Sequence, residues 1–151
     1  MTFVSITRLR IRAFRFMPAF ALHTWRAQRQ VERAAGIVGG SLLADRKLTF
    51  WTMTLWRDRS DMRAYMTSGD HLTAMPRLLD WCDQVSIAHW DQETPSLPGW
   101  ADADGRMRIE GRPSKVRHPA PGHADMSFAP PRLSGAVPIR AKTPASRLDD
   151  N

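Results

Sequence analysis

His71 is the residue of this sequence best suited to chemistry. It follows Asp70, lies in the segment Ser68-Gly69-Asp70-His71, and sits towards the end of the stretch KLTFWTMTLWRDRSDMRAYMTSGDHLTAMPRLLDWC that runs from Lys47 to Cys82. An imidazole exchanges a proton near neutral pH, and its neutral nitrogen binds metals. His71 is therefore a candidate acid/base or haem ligand. The alternative is a boundary histidine hydrogen-bonded to a backbone carbonyl one turn earlier. Phe50, Trp51 and Trp56, with Tyr65 on the following helix, could form an aromatic substrate pocket that stacks a flat molecule. Their alternative is plain packing in a core or an interface. Arg8 and Arg10 could orient an enolate or a carboxylate; solvated edge positions or ion pairs are the competing reading.

The other reactive side chains point away from a metal centre. Cys82 is the single cysteine and has no CxxC companion. A buried structural thiol in a reducing, cytoplasmic setting is its natural reading. His23 falls on a polar helix stripe and reads as solvated, and His89 as part of a surface ladder. His118 and His123 lie in a tail without companion ligands, so no metal site is expected. No glycine-rich phosphate loop or nucleophile elbow occurs.

The elements that must hold these residues follow from periodicity. Phe3–Arg12 reads as a first strand, with Ser5, Thr7, Leu9 and Ile11 on one face and Arg8, Arg10 and Arg12 on the other. The arginine face must meet water, a carboxylate or an anion. A helix starting at Pro18 runs to about Ala35 and stops at Gly36. Its apolar stripe is Phe20, Thr24, Ala27, Val31 and Ala34. Ile37–Ala44 is a second strand, in which Gly39 and Gly40 predict a bulge or a close backbone approach. Asp45-Arg46 makes a hairpin turn into a third strand, Lys47–Arg57.

In that third strand Phe50, Thr52, Thr54 and Trp56 face one way, and Thr49, Trp51, Met53 and Leu55 the other. Both faces need cover. Ser60 caps a second helix whose inner face carries Met62, Tyr65, Met66, Gly69 and Leu72. Pro76 predicts a break near Met75, then a short helix over Pro76–Trp81 and a fourth strand, Gln84–Asp91.

The order is βαββαβ. It predicts an α+β, ferredoxin-like fold: a four-stranded antiparallel sheet with both helices on one face. The opposite face would be bare, so a homodimer packed sheet against sheet is expected. Residues 1–93 would form this domain. Residues 94–118 would be an extended Pro/Gly-rich extension docked on the domain or on a partner, with a short strand at Met107–Glu110. Residues 119–151 read as a disordered tail, poor in aromatics. All six Trp precede residue 101, and nine of the eleven Pro follow residue 94.

The formal charge is +7, spread over both halves, which does not describe a specific nucleic-acid binder. No acidic residue precedes Glu32, yet the alternation near the N-terminus reads as a mature strand rather than a targeting segment. No stretch is long enough for a membrane span.

The βαββαβ order, the strand–turn–helix LTFWTMTLWRDRSDMRAYMTSGDHLTAM and the closing VSIAHW resemble the antibiotic biosynthesis monooxygenase type of dimeric α/β barrel. The Trp56-Arg57 turn and the Ser68–His71 spacing carry the match to that family's S-x-x-H pattern. The resemblance covers about residues 1–93. It implies a cavity between helices and sheet, and a monooxygenase-like activity on a hydrophobic aromatic or polyene small molecule. No cofactor is implied by the cofactor-free members, and haem by others. Thr7, Tyr65 and Met75 stand where haem-degrading members carry Asn, Trp and His, so haem degradation is not implied. A fainter similarity, in IRAFRFMPAF and the Arg-rich first helix, is to spheroidene monooxygenase-like proteins, which are haem-dependent carotenoid oxygenases. A non-catalytic small-ligand-binding or interaction protein on the same fold is the alternative.

Overall fold

The computed structural model describes residues 1–142. Strand β1 (Thr2–Ile11) leads through a short 3-10 turn at Phe14–Phe16 into α1 (Met17–Glu32). Then come β2 (Ile37–Ala44), β3 (Thr49–Trp56), α2 (Arg59–Met66), α3 (Gly69–Trp81) and β4 (Cys82–Gln92). Three further elements follow: α4 (Trp100–Glu110), β5 (Arg112–Pro113) and β6 (Ala136–Ile139).

The sheet is antiparallel and has six strands in the order β5-β4-β1-β3-β2-β6. Its four central strands make the expected ferredoxin-like arrangement, and the expected count of four is corrected to six. Both additional strands are edge strands from the C-terminal extension. β5 has two residues, and β6 contains Pro138, which a sheet tolerates only at an edge or a bulge. Neither has a periodic sequence signal.

Several local expectations change. The cap of α2 is Asp58, whose carboxylate accepts the Asp61 N–H at 2.9 Å; Ser60 lies inside the helix. The helical segment breaks at Thr67–Ser68, about two turns earlier than expected, and α3 then runs through Pro76. The carbonyl that Pro76 cannot bond belongs to Leu72, which is 49% exposed, so water can satisfy it. Leu72 consequently does not face the core. The turn after β2 is a wider loop in which Lys47 and Leu48 both take positive φ.

The Gly39-Gly40 expectation has a definite cause. The β2–β3 register shifts between Ile37 and Gly39. A β-carbon on Gly40 would lie 2.6 Å from the Met53 carbonyl oxygen and 3.1 Å from Ile139 of β6. Glycine thus lets β6 close on the sheet edge.

The larger correction concerns the second sheet face. Val4, Ile6, Leu43, Trp51, Met53, Leu55, Ala88 and Trp90 are buried there, within one chain, by Ala103 and Met107 of α4. Trp100 and Phe128 meet Trp51 edge-on, with ring centroids 6.2 and 5.8 Å away. Burying one such indole contributes about 4–6 kcal/mol at ~25 cal/mol per Å². The face expected to recruit a second copy is therefore covered by the chain's own extension. Met107–Glu110, expected as a strand, is helical. Pro95, Pro98, Gly99 and Gly111 flank α4 and Gly105 lies within it, while the residues that do the covering are few and widely spaced.

Order continues past Pro119. His123 is buried; its Nδ1 accepts the Val85 N–H at 3.4 Å, which leaves Nε2–H to donate to the Ser114 carbonyl at 2.8 Å. It ties the extension to β4. The Lys142 ammonium meets Glu32 at 2.9 Å and its N–H donates to the Glu32 carbonyl at 2.6 Å. The expectation of a disordered tail thus does not hold for residues 119–142; its last part lies outside the described residues.

Replacing Met107, fully buried between α4 and the sheet, should show the weight of this cover. Met107→Ala is expected to cost about 2–5 kcal/mol in a urea unfolding titration. Truncation after Glu93 should leave the Trp51 face bare and produce association or precipitation in size-exclusion chromatography.

Candidate functional site

The helix-side face of the sheet carries small hydroxyl residues where a close-packed core would carry large apolar ones. Ser5 pairs across β1–β3 with Thr54, and Thr7 with Thr52. The wall opposite is also built of small residues: Thr24 and Ala27 on α1 and Ala74 on α3. Small side chains on both layers cannot fill the gap between them. A cavity of about 440 Å³ results. Its remaining lining is mostly apolar, including Leu9, Phe20, Phe50, Met62 and Trp81. None of the lining residues is an Asp, Glu, Lys or Arg.

β6 supplies one side through Gly135, Val137 and Ile139. Val137 both lines the cavity and is 54% exposed, so the cavity opens beside β6.

His71 lines this cavity. Its Nδ1 is 3.3 Å from the Met66 carbonyl oxygen, the backbone contact anticipated as the alternative to a functional role. Here both occur together. With Nδ1–H donating to Met66, Nε2 keeps its lone pair, and it has no hydrogen-bond partner among the described residues. Burial pushes the imidazole pKa down from its ordinary value, and the Met66 bond offsets this in part. Asp70 is exposed and does not pair with His71.

Gln30 of α1 positions the histidine. Its Oε1 accepts the His71 backbone N–H at 2.9 Å, and its Nε2 donates to the carbonyls of Ser68 at 2.8 Å and Tyr65 at 3.2 Å. This one amide bridges the α2–α3 break and caps α3, whose Ser68 makes no side-chain cap. The Ser68 hydroxyl bonds back to Ala64 at 2.8 Å and does not reach His71.

Tyr65 lines the cavity and stacks on His71, with centroids 4.7 Å apart, and on Trp56 at 5.4 Å. Burial raises the phenol pKa, so its hydroxyl stays protonated and donates to the Ala27 carbonyl at 3.3 Å. Phe50 also lines the cavity and packs on Phe20. Trp56 is fully buried behind Tyr65, its Nε1 donating to Thr54 at 2.8 Å; it supports the wall without lining it.

Trp51 borders the cavity from β3, but its side chain packs on the opposite face, and the two candidate arginines lie wholly on that face. The Trp51 indole belongs to the opposite face, where its Nε1 donates to Asp45 at 3.2 Å. Arg8 and Arg10 are on that face too. Arg8 is 6% exposed, donates to Gln84 at 2.7 Å and stacks on Phe128 at 3.9 Å; burial lowers its pKa to about 10. Arg10 forms a bidentate pair with Asp83 at 2.8 and 2.9 Å. Arg12 reaches Asp80 at 3.7 Å. The arginine face thus meets carboxylates, an amide and an aromatic ring, and no arginine among the described residues lines the cavity.

His23 was expected in solvent and instead lines the cavity, stacked on Trp81 at 5.5 Å. Its position one residue before Thr24, on the edge of the apolar stripe, was the available signal. Thr7, Thr52 and Gln30 were also missed as site residues. The alternation of Ser and Thr on the inner strand faces could have identified the first two. Cys82 is buried, and its thiol pKa is pushed up to about 12 by burial and then by Asp83, as an inert thiol requires. Among the described residues no group of His, Cys, Asp or Glu is arranged to hold a metal ion.

The family model described as a domain of unknown function, DUF3291, matches residues 15–112. The chain belongs to the DUF3291 family. No curated protein matches it. Its structural neighbours include a protein described as an antibiotic biosynthesis monooxygenase and a cofactor-independent oxygenase. A putative antibiotic biosynthesis monooxygenase from Nitrosomonas europaea superposes with a TM-score of 0.56 at 18% identity, over 64% of this chain and 94% of that one. SnoaB, a cofactor-independent oxygenase from Streptomyces nogalater, gives 0.51 at 18% identity, over 64% and 97%. Rv0793 from Mycobacterium tuberculosis gives 0.55 at 12% identity, over 62% and 97%. At these identities the likeness establishes the fold of this DUF3291 domain.

The lowered pKa of His71 has a signed consequence. The folded state disfavours protonation, so the unfolded state binds more protons as pH falls towards and below about 6.5. Stability is fully present above that value and is lost on acidification. His89 acts in the same direction, its pKa lowered by burial and by Arg112 and Arg59. The urea midpoint is expected to fall between pH 7.5 and 5, and less steeply in His71→Gln, measured as a pH series of unfolding curves.

Proposed function

We propose that this DUF3291 domain is a monooxygenase-like enzyme acting on a hydrophobic aromatic or polyene small molecule held in the cavity, with His71 as general base. The observation that carries the reading is a cavity lined by no Asp, Glu, Lys or Arg, with the His71 imidazole in its wall and Nε2 of that imidazole without a hydrogen-bond partner among the described residues. A lipophilic molecule bearing a hydroxyl or carbonyl suits this lining; a carboxylate would be desolvated with no cation to meet it.

The chemistry follows from the side chains. Nε2 of His71, basic because Nδ1–H is held by Met66, takes a proton from an acidic substrate hydroxyl or enol. Thr7 and Thr52 make no side-chain hydrogen bonds among the described residues, so their hydroxyls are free to bond the substrate oxygens. That is the role first considered for Arg8 and Arg10. Phe50 and Tyr65 pack against the ring system. The substrate anion, rather than a cofactor, would then supply electrons to oxygen. SnoaB, of the same fold, is described as a cofactor-independent oxygenase.

Haem fits these residues poorly. Nε2 of His71 could serve as an axial ligand, but no lining side chain is a cation for the propionates. No step is assigned to it. A non-catalytic binding role for the same cavity is favoured by one observation: among the described residues no carboxylate pairs with His71.

Oxygen uptake measured against a panel of electron-rich phenols, enols and polyenes tests the proposal. The wild type should turn over at least one of them without added metal or haem. His71→Ala should lower kcat by about 10²- to 10⁴-fold while ligand binding persists. Binding without turnover throughout would favour the non-catalytic reading. Added haemin should give no stoichiometric Soret band.

A further inference from the structure

We propose that the outer face of α1, with the turn before it, docks this protein on an anionic lipid surface. The inference does not depend on how the cavity is used. Phe14 is 78% exposed, Leu22 45% and Trp25 54%. Leu22 and Trp25 follow Pro18 at helical spacing, on the side of α1 turned away from the sheet, and Phe14 precedes them in the 3-10 turn.

The charged side chains that α1 and the turn before it carry ahead of Glu32 are of one sign; Asp80 of α3, near Phe16, is met by Arg12. Arg15, Arg26 and Arg29 are exposed and form no ion pair among the described residues. No acidic residue precedes Glu32 in the sequence. Glu32 itself is buried, and Lys142 already neutralises it. The Arg29 guanidinium lies 5.0 Å from the Trp25 ring centroid, so the indole and a cation are presented together.

Charge complementarity selects the occupant. A second copy would bring the same cationic face against itself, which like charges oppose. A nucleic-acid strand could meet the arginines, but single-strand binding wants a groove that tracks the backbone, and this surface is the convex side of a helix. A bilayer with acidic headgroups answers both features. Phe14, Leu22 and Trp25 can enter the interface, and the arginines can stay at headgroup level.

The test is co-sedimentation of the full chain with phosphatidylcholine vesicles, with and without phosphatidylglycerol, at low and high salt. Binding is expected only to the phosphatidylglycerol-containing vesicles and should weaken with salt. The double variant R26E/R29E should weaken it by at least roughly twentyfold. The variant F14S/W25S, with all three arginines kept, should weaken it as well. All four positions are exposed, and an unchanged melting temperature shows that each variant is folded. The proposal is overturned by no binding to the acidic vesicles at low salt, or by binding that either double variant leaves intact. It is also overturned if size exclusion shows a dimer that the same variants disperse. Tighter binding of single-stranded DNA, lost in R26E/R29E but kept in F14S/W25S, would equally reject it.

Discussion

The central strand β3 is apolar on both sides, and one chain has to cover both. Phe50 and Trp56 face the helices α1–α3, while Trp51, Met53 and Leu55 face α4 and Phe128. The two sides are filled to different degrees. On the α4 side, indoles and aliphatic chains interlock against the sheet, and an open pocket lies out towards the end of β4, between Trp90 and α4. On the helix side, threonines, serine and alanines hold the layers apart over a gap they do not fill. The site exists because of that imbalance.

The helix side was legible in the sequence to a useful depth. The four central strands and the two faces of β3 follow from strict alternation. His71, Phe50 and Tyr65 reach the cavity because each occupies an inward register position. Arg8 and Arg10 were misassigned for an instructive reason. Alternation places them correctly on the face opposite Thr7 and Leu9, yet it does not say which face holds the cavity. That depends on side-chain volume across two layers, which becomes readable only when Ser5, Thr7, Thr52 and Thr54 are recognised as a row.

The extension was less legible. Its covering residues, Trp100, Ala103, Met107 and Phe128, are spread over a stretch dominated by Pro, Gly and charge. α4 has no long apolar stripe, since only Ala103 and Met107 are buried. β6 is held by Gly40 on its neighbour and by the Lys142–Glu32 pair, both of which are long-range relations. Local patterning can show that a segment is irregular on average. It cannot show that four well-placed residues within it match a surface tens of residues away.

Because α1, α2, α3, β6 and the inner strand faces that wall the chamber all belong to one chain, the chamber does not depend on association to exist. A barrel whose second wall comes from another copy has a chamber only where two copies meet, so its capacity falls with dilution. Here each molecule carries its own, and the fraction of chambers available to a ligand is the same in a dilute solution as in a crowded one.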